Sequence, residues 1–219
     1  QIGFEVTPLM VGGMLYLCRP DNVIIALDAE TGLQRWRYDP KVNPPPLAAC
    51  RGVAYHAQDG ATGACARRII FATTDARLMA LDAVDGRPCS GFGTAGTVDL
   101  KRGMGEIKDG YYYVSSAPAL VGGKAIVGGW VWDNREVGEP SGVIRAFDAV
   151  TGAFAWAWDM DRPDDAGEPQ PGQTYSRGTA NSWAPLSGDD ALGLVYVPTG
   201  NATPDYWAGK RSAGSEKYG

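Results

Sequence analysis

One phrase occurs three times in this chain. Residues 26–36 read ALDAETGLQRW, residues 80–90 read ALDAVDGRPCS and residues 146–156 read AFDAVTGAFAW. The shared frame is Ala-x-Asp-x-x-Thr-Gly-x-x-x-Trp, and only the middle copy lacks the Thr and the Trp. A unit repeated at this spacing indicates a repeat architecture. Within each copy an apolar run ends in Asp, a Thr-Gly or Asp-Gly pair turns the chain, and a second strand starts at or before the Trp. Such units line up as the blades of a propeller, with the Trp packed between neighbours.

The rest of the chain agrees with an all-β fold. Strand pairs are read at MLYLCRP/NVIIALDAE, RRIIFATTD/RLMALDAVDG and KAIVGGWVWD/GVIRAFDAVTG. A fourth pair begins at LGLVYVPTG, after a turn at Gly188-Asp189-Asp190. Gly12-Gly13 turns the opening segment. No long window has helical periodicity. Thirty Gly and fifteen Pro supply turns and long spacers, and long loops on a repeat scaffold are where sites are built. About four blades fit the length, whereas propellers run from four to eight. The chain opens without Met, in mid-pattern, and stops at GSEKYG with no closing element. It therefore reads as one partial propeller domain, 1–219, truncated at both ends.

Composition excludes some functions. A net charge of −5 without a basic cluster argues against nucleic acid. No run of eighteen apolar residues exists to span a bilayer as a helix, though this says nothing of a longer parent. Without CxxC, the four cysteines do not suggest zinc. They are paired or remain buried thiols. Cys50 and Cys65 flank the loop AQDGATGA, which a Cys50–Cys65 bridge would close. His56 is the single histidine, and with no partner base nearby in sequence it is read as structural.

Four segments carry a resemblance: ALDAETGLQRW, CRGVAYH (50–56), SGVIRAFDAVTGAFAWAWD (141–159) and TANSWAPLSGDDALGLVYVPTGNATPDYW (179–207). The chain resembles the pyrroloquinoline quinone (PQQ) dehydrogenases, most closely their membrane-bound glucose/quinate/shikimate branch. The resemblance implies a partial β-propeller, about four blades of an eight-bladed ring. On composition alone Trp183 packs between blades; the resemblance instead lays it flat beneath the quinone. Arg51, in CRG, would face the cofactor carboxylates, which suit a guanidinium fork. Ser115 would hydrogen-bond the cofactor. Asp133, Asn134, Asn201 and Thr203 would give oxygens to Ca²⁺ or Mg²⁺, hard cations that take oxygen donors from several segments. On residue type alone, Asn201 and Thr203 make a turn and Asp133-Asn134 ends a strand.

The implied reaction takes a hydride from a polyol or cyclic alcohol to PQQ, a carboxylate base accepting the hydroxyl proton, with electrons passed to ubiquinone. The implied setting is the periplasmic face of the bacterial inner membrane, with the parent anchored through an N-terminal segment. The expected Asp base lies beyond Gly219, so these 219 residues alone are expected to be inactive. Leu47 stands where glucose-type members carry a His, and GGWVWDN and NATPDYW lean towards quinate and shikimate. The competing reading is a non-enzymatic envelope propeller that binds proteins. Such a scaffold has no reason to gather Asp-Asn, Arg and Asn-x-Thr in blade-top loops.

Overall fold

The computed structural model describes residues 3–46 and 48–219, apart from the side chain of Glu216. Leu47, on which the substrate expectation partly rests, is outside the described residues. Strands β1 (Leu9–Val11), β2 (Met14–Cys18), β3 (Ile24–Asp28) and β4 (Gln34–Tyr38) form the first antiparallel sheet. The second contains β5 (Ala54–Ala57), β6 (Arg67–Ala72), β7 (Arg77–Asp82) and β8 (Thr97–Asp99). After β9 (Tyr112–Tyr113), the third is built from β10 (Ala119–Val121), β11 (Lys124–Val127), β13 (Ile144–Asp148) and β14 (Phe154–Trp158). Strand β12 (Trp130–Val131) leaves that sheet and pairs with β9 as a separate ribbon. A last hairpin joins β15 (Ser187–Asp189) and β16 (Leu194–Tyr196).

The all-β expectation holds, with three four-stranded sheets and the hairpin in place of four equal blades. Two 3₁₀ turns, Ala208–Lys210 and Ser215–Tyr218, are the helical elements among the described residues, and no helix there is long and apolar enough to cross a membrane. Two boundaries differ from the sequence reading. KAIVGGWVWD is not one strand, because Gly128-Gly129 divides it between two sheets. Gly188 and Asp189 lie within β15, so the turn comes after them.

The repeated phrase builds the same corner each time. Asp28 Oδ1 accepts from the amides of Glu30 and Thr31 and from the Thr31 hydroxyl. Asp148 Oδ1 does the same with Val150 and Thr151. Asp82 has no Thr to cap it and accepts from the Val84 amide and from the amide of Cys65. In all three copies the Gly amide donates back to the Asp carbonyl: Gly32 to Asp28, Gly86 to Asp82 and Gly152 to Asp148. All three glycines have φ between 70° and 75°, a left-handed conformation that favours glycine.

These corners join the sheets. Trp36 is buried, and its Nε1 donates to Ala83 O, just after the second corner, at 3.1 Å. Its ring lies on Gly86, where a Cβ would fall 2.5 Å from Trp36 Cε3. At the next junction Arg68 Nη1 donates to Ala149 O at 3.3 Å and to Val150 O, while Gly93 N donates to Thr151 O at 2.7 Å. Main chain and guanidinium thus occupy the place of the missing indole. Trp156 does not meet the burial expected of it. It is half-buried, packed against the core of the third sheet beside Ile126, Ile144 and Ala146.

Period-two alternation puts both faces of the second sheet in core. Ile69, Phe71, Met79 and Leu81 pack towards the first sheet, and Ile70, Ala72, Leu78 and Ala80 towards the third. Gly86→Ala is expected to cost about 2–4 kcal/mol, from the left-handed backbone plus overpacking on Trp36. Gly32→Ala should cost about 1–2 kcal/mol, because no atom lies within 4 Å of its Cβ position. Denaturant unfolding of the two variants in the intact protein measures the difference; equal losses would remove the packing role of Gly86.

The bridges are Cys18–Cys50 and Cys65–Cys89. The Cys50–Cys65 expectation fails because docking of the first sheet brings Cys18 to the strap that carries Cys50. Both sulfurs sit over Gly52 O, Cys18 Sγ at 3.8 Å and Cys50 Sγ at 3.7 Å.

Candidate cofactor and metal site

Arg51 lies in the strap between β4 and β5, one residue after the Cys18–Cys50 bridge. Its backbone is tied on both sides, the amide donating to Ser115 O and the carbonyl accepting from Thr7 N. Its Nη1 donates to Ser115 Oγ at 2.6 Å, and Nη2 pairs with the Glu5 carboxylate at 2.7 Å. The guanidinium carbon stands 5.1 Å from the centroid of the Trp183 ring, over its face. Ser115 Oγ and Ser116 Oγ both donate to Trp183 O, at 3.2 and 2.6 Å. The main chain of Trp183 is therefore fixed while the residue remains 42% exposed. The structure brings Arg51, Ser115 and Trp183 into one cluster.

The second cluster begins where β12 ends. Asp133 Oδ2 accepts from Asn181 Nδ2 at 2.8 Å, and Asp133 O accepts from the Asp205 amide at 2.8 Å. Asn134 Oδ1 accepts from Tyr206 N at 2.8 Å. Asn201 is exposed and reaches the group through Asp205, to which its Nδ2 donates at 2.8 Å. Thr203 is buried, and its hydroxyl faces Gly178 O at 3.5 Å. Asp133, Asn134 and Asn201 thus meet around Asp205, whereas the Thr203 hydroxyl points to the neighbouring strap. Burial pushes the Asp133 carboxyl above its ordinary range, the Asn181 hydrogen bond pulls it down in part, and the Asp205 charge raises it further.

The strap 179–183 links the two clusters. Asn181 holds Asp133, and Trp183, two residues on, lies under Arg51. Two residues of chain reach no more than about 7 Å. His56 stands in β5 opposite Arg68, and burial together with that charge keeps its imidazole below the usual range, so it is neutral at physiological pH.

The residues fit the groups that the sequence implied. Trp183 is a partly exposed indole with a guanidinium over its ring, and Arg51 already pairs one nitrogen with the Glu5 carboxylate, a charge and shape that suit a planar polyanion. Asp133 is a desolvated carboxylate, and the fully buried Asn181 keeps Oδ1 without a hydrogen-bond partner beside it, a pairing that suits a hard cation. Among the described residues no three His, Cys, Asp or Glu side chains gather into a cage, so the fit rests on mixed carboxylate and amide oxygens. Two residues escaped the sequence reading. Glu5 lies in a segment read only as strand and turn, and Asn181 reads as an ordinary loop residue whose one signal is its place two before Trp183.

Consecutive four-stranded antiparallel sheets docked corner to corner define a β-propeller domain. The family model described as "PQQ: Glucose/ethanol/alcohol dehydrogenase, beta-propeller domain" matches residues 1–219, and the chain belongs to that family. It is 44% identical over 220 residues to the glycerol dehydrogenase large subunit of Gluconobacter oxydans, covering 97% of this chain and 29% of that protein. It is 38% identical over 232 residues to the quinate/shikimate dehydrogenase (quinone) of Acinetobacter baylyi, covering 98% and 29%. Its fold matches the quinohemoprotein alcohol dehydrogenase of Comamonas testosteroni with a TM-score of 0.69 and 25% identity, over 92% of this chain and 30% of that one. The chain spans less than a third of these relatives.

Proposed function

We propose that the protein to which this chain contributes is a quinoprotein dehydrogenase that oxidises a polyol or cyclic alcohol and delivers the electrons to ubiquinone. The observation that carries this reading is the strap 179–183, which ties a partly exposed indole under a guanidinium to a desolvated carboxylate. When bound, PQQ and a divalent ion supply the redox and Lewis-acid chemistry. Arg51 would orient the cofactor carboxylates, Trp183 would carry its flat face, and Ser115 and Ser116 would hold that tryptophan in place. Asp133, Asn134, Asn201 and Thr203 are the proposed oxygen donors for Ca²⁺ or Mg²⁺. Two disulfides suit an oxidising compartment, which supports placement at the periplasmic face of the inner membrane.

Quinate or shikimate is the favoured substrate and glucose the next, on the segments GGWVWDN and NATPDYW and on Leu47. The glycerol dehydrogenase relative adds an acyclic polyol to the comparison. The intact protein, reconstituted with PQQ and Ca²⁺ or Mg²⁺, is assayed by dye reduction on quinate, shikimate, glucose and glycerol. The expected result is a higher kcat/KM on quinate or shikimate than on glucose, the ratio that defines discrimination. A preference for glucose or glycerol overturns the substrate. No dye reduction with any alcohol returns the scaffold reading to first place.

A further inference from the structure

The geometry points to Asn181 as a further metal-ligating residue, its side-chain carbonyl completing an oxygen set around Asp133; this rests on the metal reading above. Asn181 is fully buried, and an amide sealed from water normally satisfies both ends. Here Nδ2 donates to Asp133 Oδ2 at 2.8 Å, while Oδ1 has no hydrogen-bond partner. The two ends belong to one small planar group. The unsatisfied oxygen is therefore held close to a carboxylate that is itself partly desolvated. A neutral amide oxygen beside an anionic one is the donor pair that Ca²⁺ accepts.

The backbone keeps this amide in place. The main chain of 180–182 passes between two glycines. A Cβ at Gly142 would overlap Ala180 O, and one at Gly128 would overlap Ser182 O. Thr179 Oγ1 accepts from Gly142 N at 2.9 Å, and Asn181 O accepts from Gly200 N at 2.8 Å. The side chain thus starts from a clamped backbone, the preorganisation a ligating group needs.

The test is Ca²⁺ binding to chelator-stripped intact protein, with and without PQQ, by equilibrium dialysis and by Ca²⁺-dependent shifts in Tm. Asn181→Leu fills the space without an oxygen, and Asn181→Asp replaces the amide with a second carboxylate. Ligation predicts that Asn181→Leu weakens Ca²⁺ binding about tenfold or more. It predicts that Asn181→Asp, although less stable without metal, binds Ca²⁺ on the order of tenfold more tightly. If both variants weaken binding alike, Asn181 serves Asp133 only as a hydrogen-bond donor, and the ligand role is overturned. If Asn181→Leu binds as the wild type does, the role is overturned outright. Asp133→Asn separates the premise from the inference. When it binds Ca²⁺ as well as the wild type, the metal reading of the site has failed and the inference with it. When it loses Ca²⁺ while Asn181→Leu does not, only the inference has failed.

Discussion

Asp133→Asn in the intact protein should cut metal-dependent dye reduction on the order of 10³-fold, the equivalent of several kcal/mol of transition-state stabilisation. It removes the anionic oxygens proposed to anchor the ion and keeps the shape of the side chain. The same change should stabilise the metal-free protein near neutral pH. Burial, with the Asp205 charge, raises the folded carboxyl above its unfolded value, so the folded state holds this proton more tightly than the unfolded chain. The stability so contributed is complete below the unfolded pKa and is lost as pH rises through the folded pKa. The Asn variant has no such loss. Wild-type Tm without metal should fall across that window, the variant's should not, and Ca²⁺ should restore the wild type above it. A variant that retains full metal-dependent activity would remove Asp133 from the site.

Replacing Cys18 and Cys50 together by alanine should cost roughly 3.7 kcal/mol, the chain-entropy value for a loop of this length. The bridge spans 32 residues and closes one residue before Arg51, so PQQ affinity should fall with stability. Removing Cys65 and Cys89, which span 24 residues, should cost a similar amount and leave PQQ affinity close to wild type, because that bridge lies at the corner of the second sheet. Denaturant midpoints measured beside PQQ titrations of both double variants separate the two effects. Equal losses of PQQ affinity would show that the Cys18–Cys50 bridge has no special hold on Arg51.

The corners were legible because they are local. Asp, Thr and Gly lie within five residues and satisfy one another, so the phrase alone specifies the turn. The disulfide pairing was not legible, since Cys18 meets Cys50 only after a sheet has docked on a strap. The break in KAIVGGWVWD is visible as two glycines, but its reason lies elsewhere in the chain. Gly128 makes room for Ser182 O, and Gly129 for the Tyr112 ring. Arg51, Ser115 and Trp183 entered through family likeness, since nothing in their local spacing brings them together. Asn181 was hidden because an asparagine in a loop looks the same whether its amide N–H meets water or a buried carboxylate.

The junctions between sheets have a wider consequence. Each receiving corner presents the same socket, a carbonyl one residue past the Asp and a left-handed glycine, while the plug differs: an indole at one joint, a guanidinium and a bare peptide at the next. The chemistry of attachment is thereby separated from its geometry. A copy can lose the most recognisable residue of its repeat and still dock in register, so successive joints can be individually tuned, some apolar and some charged, without re-aiming the loops that the sheets carry.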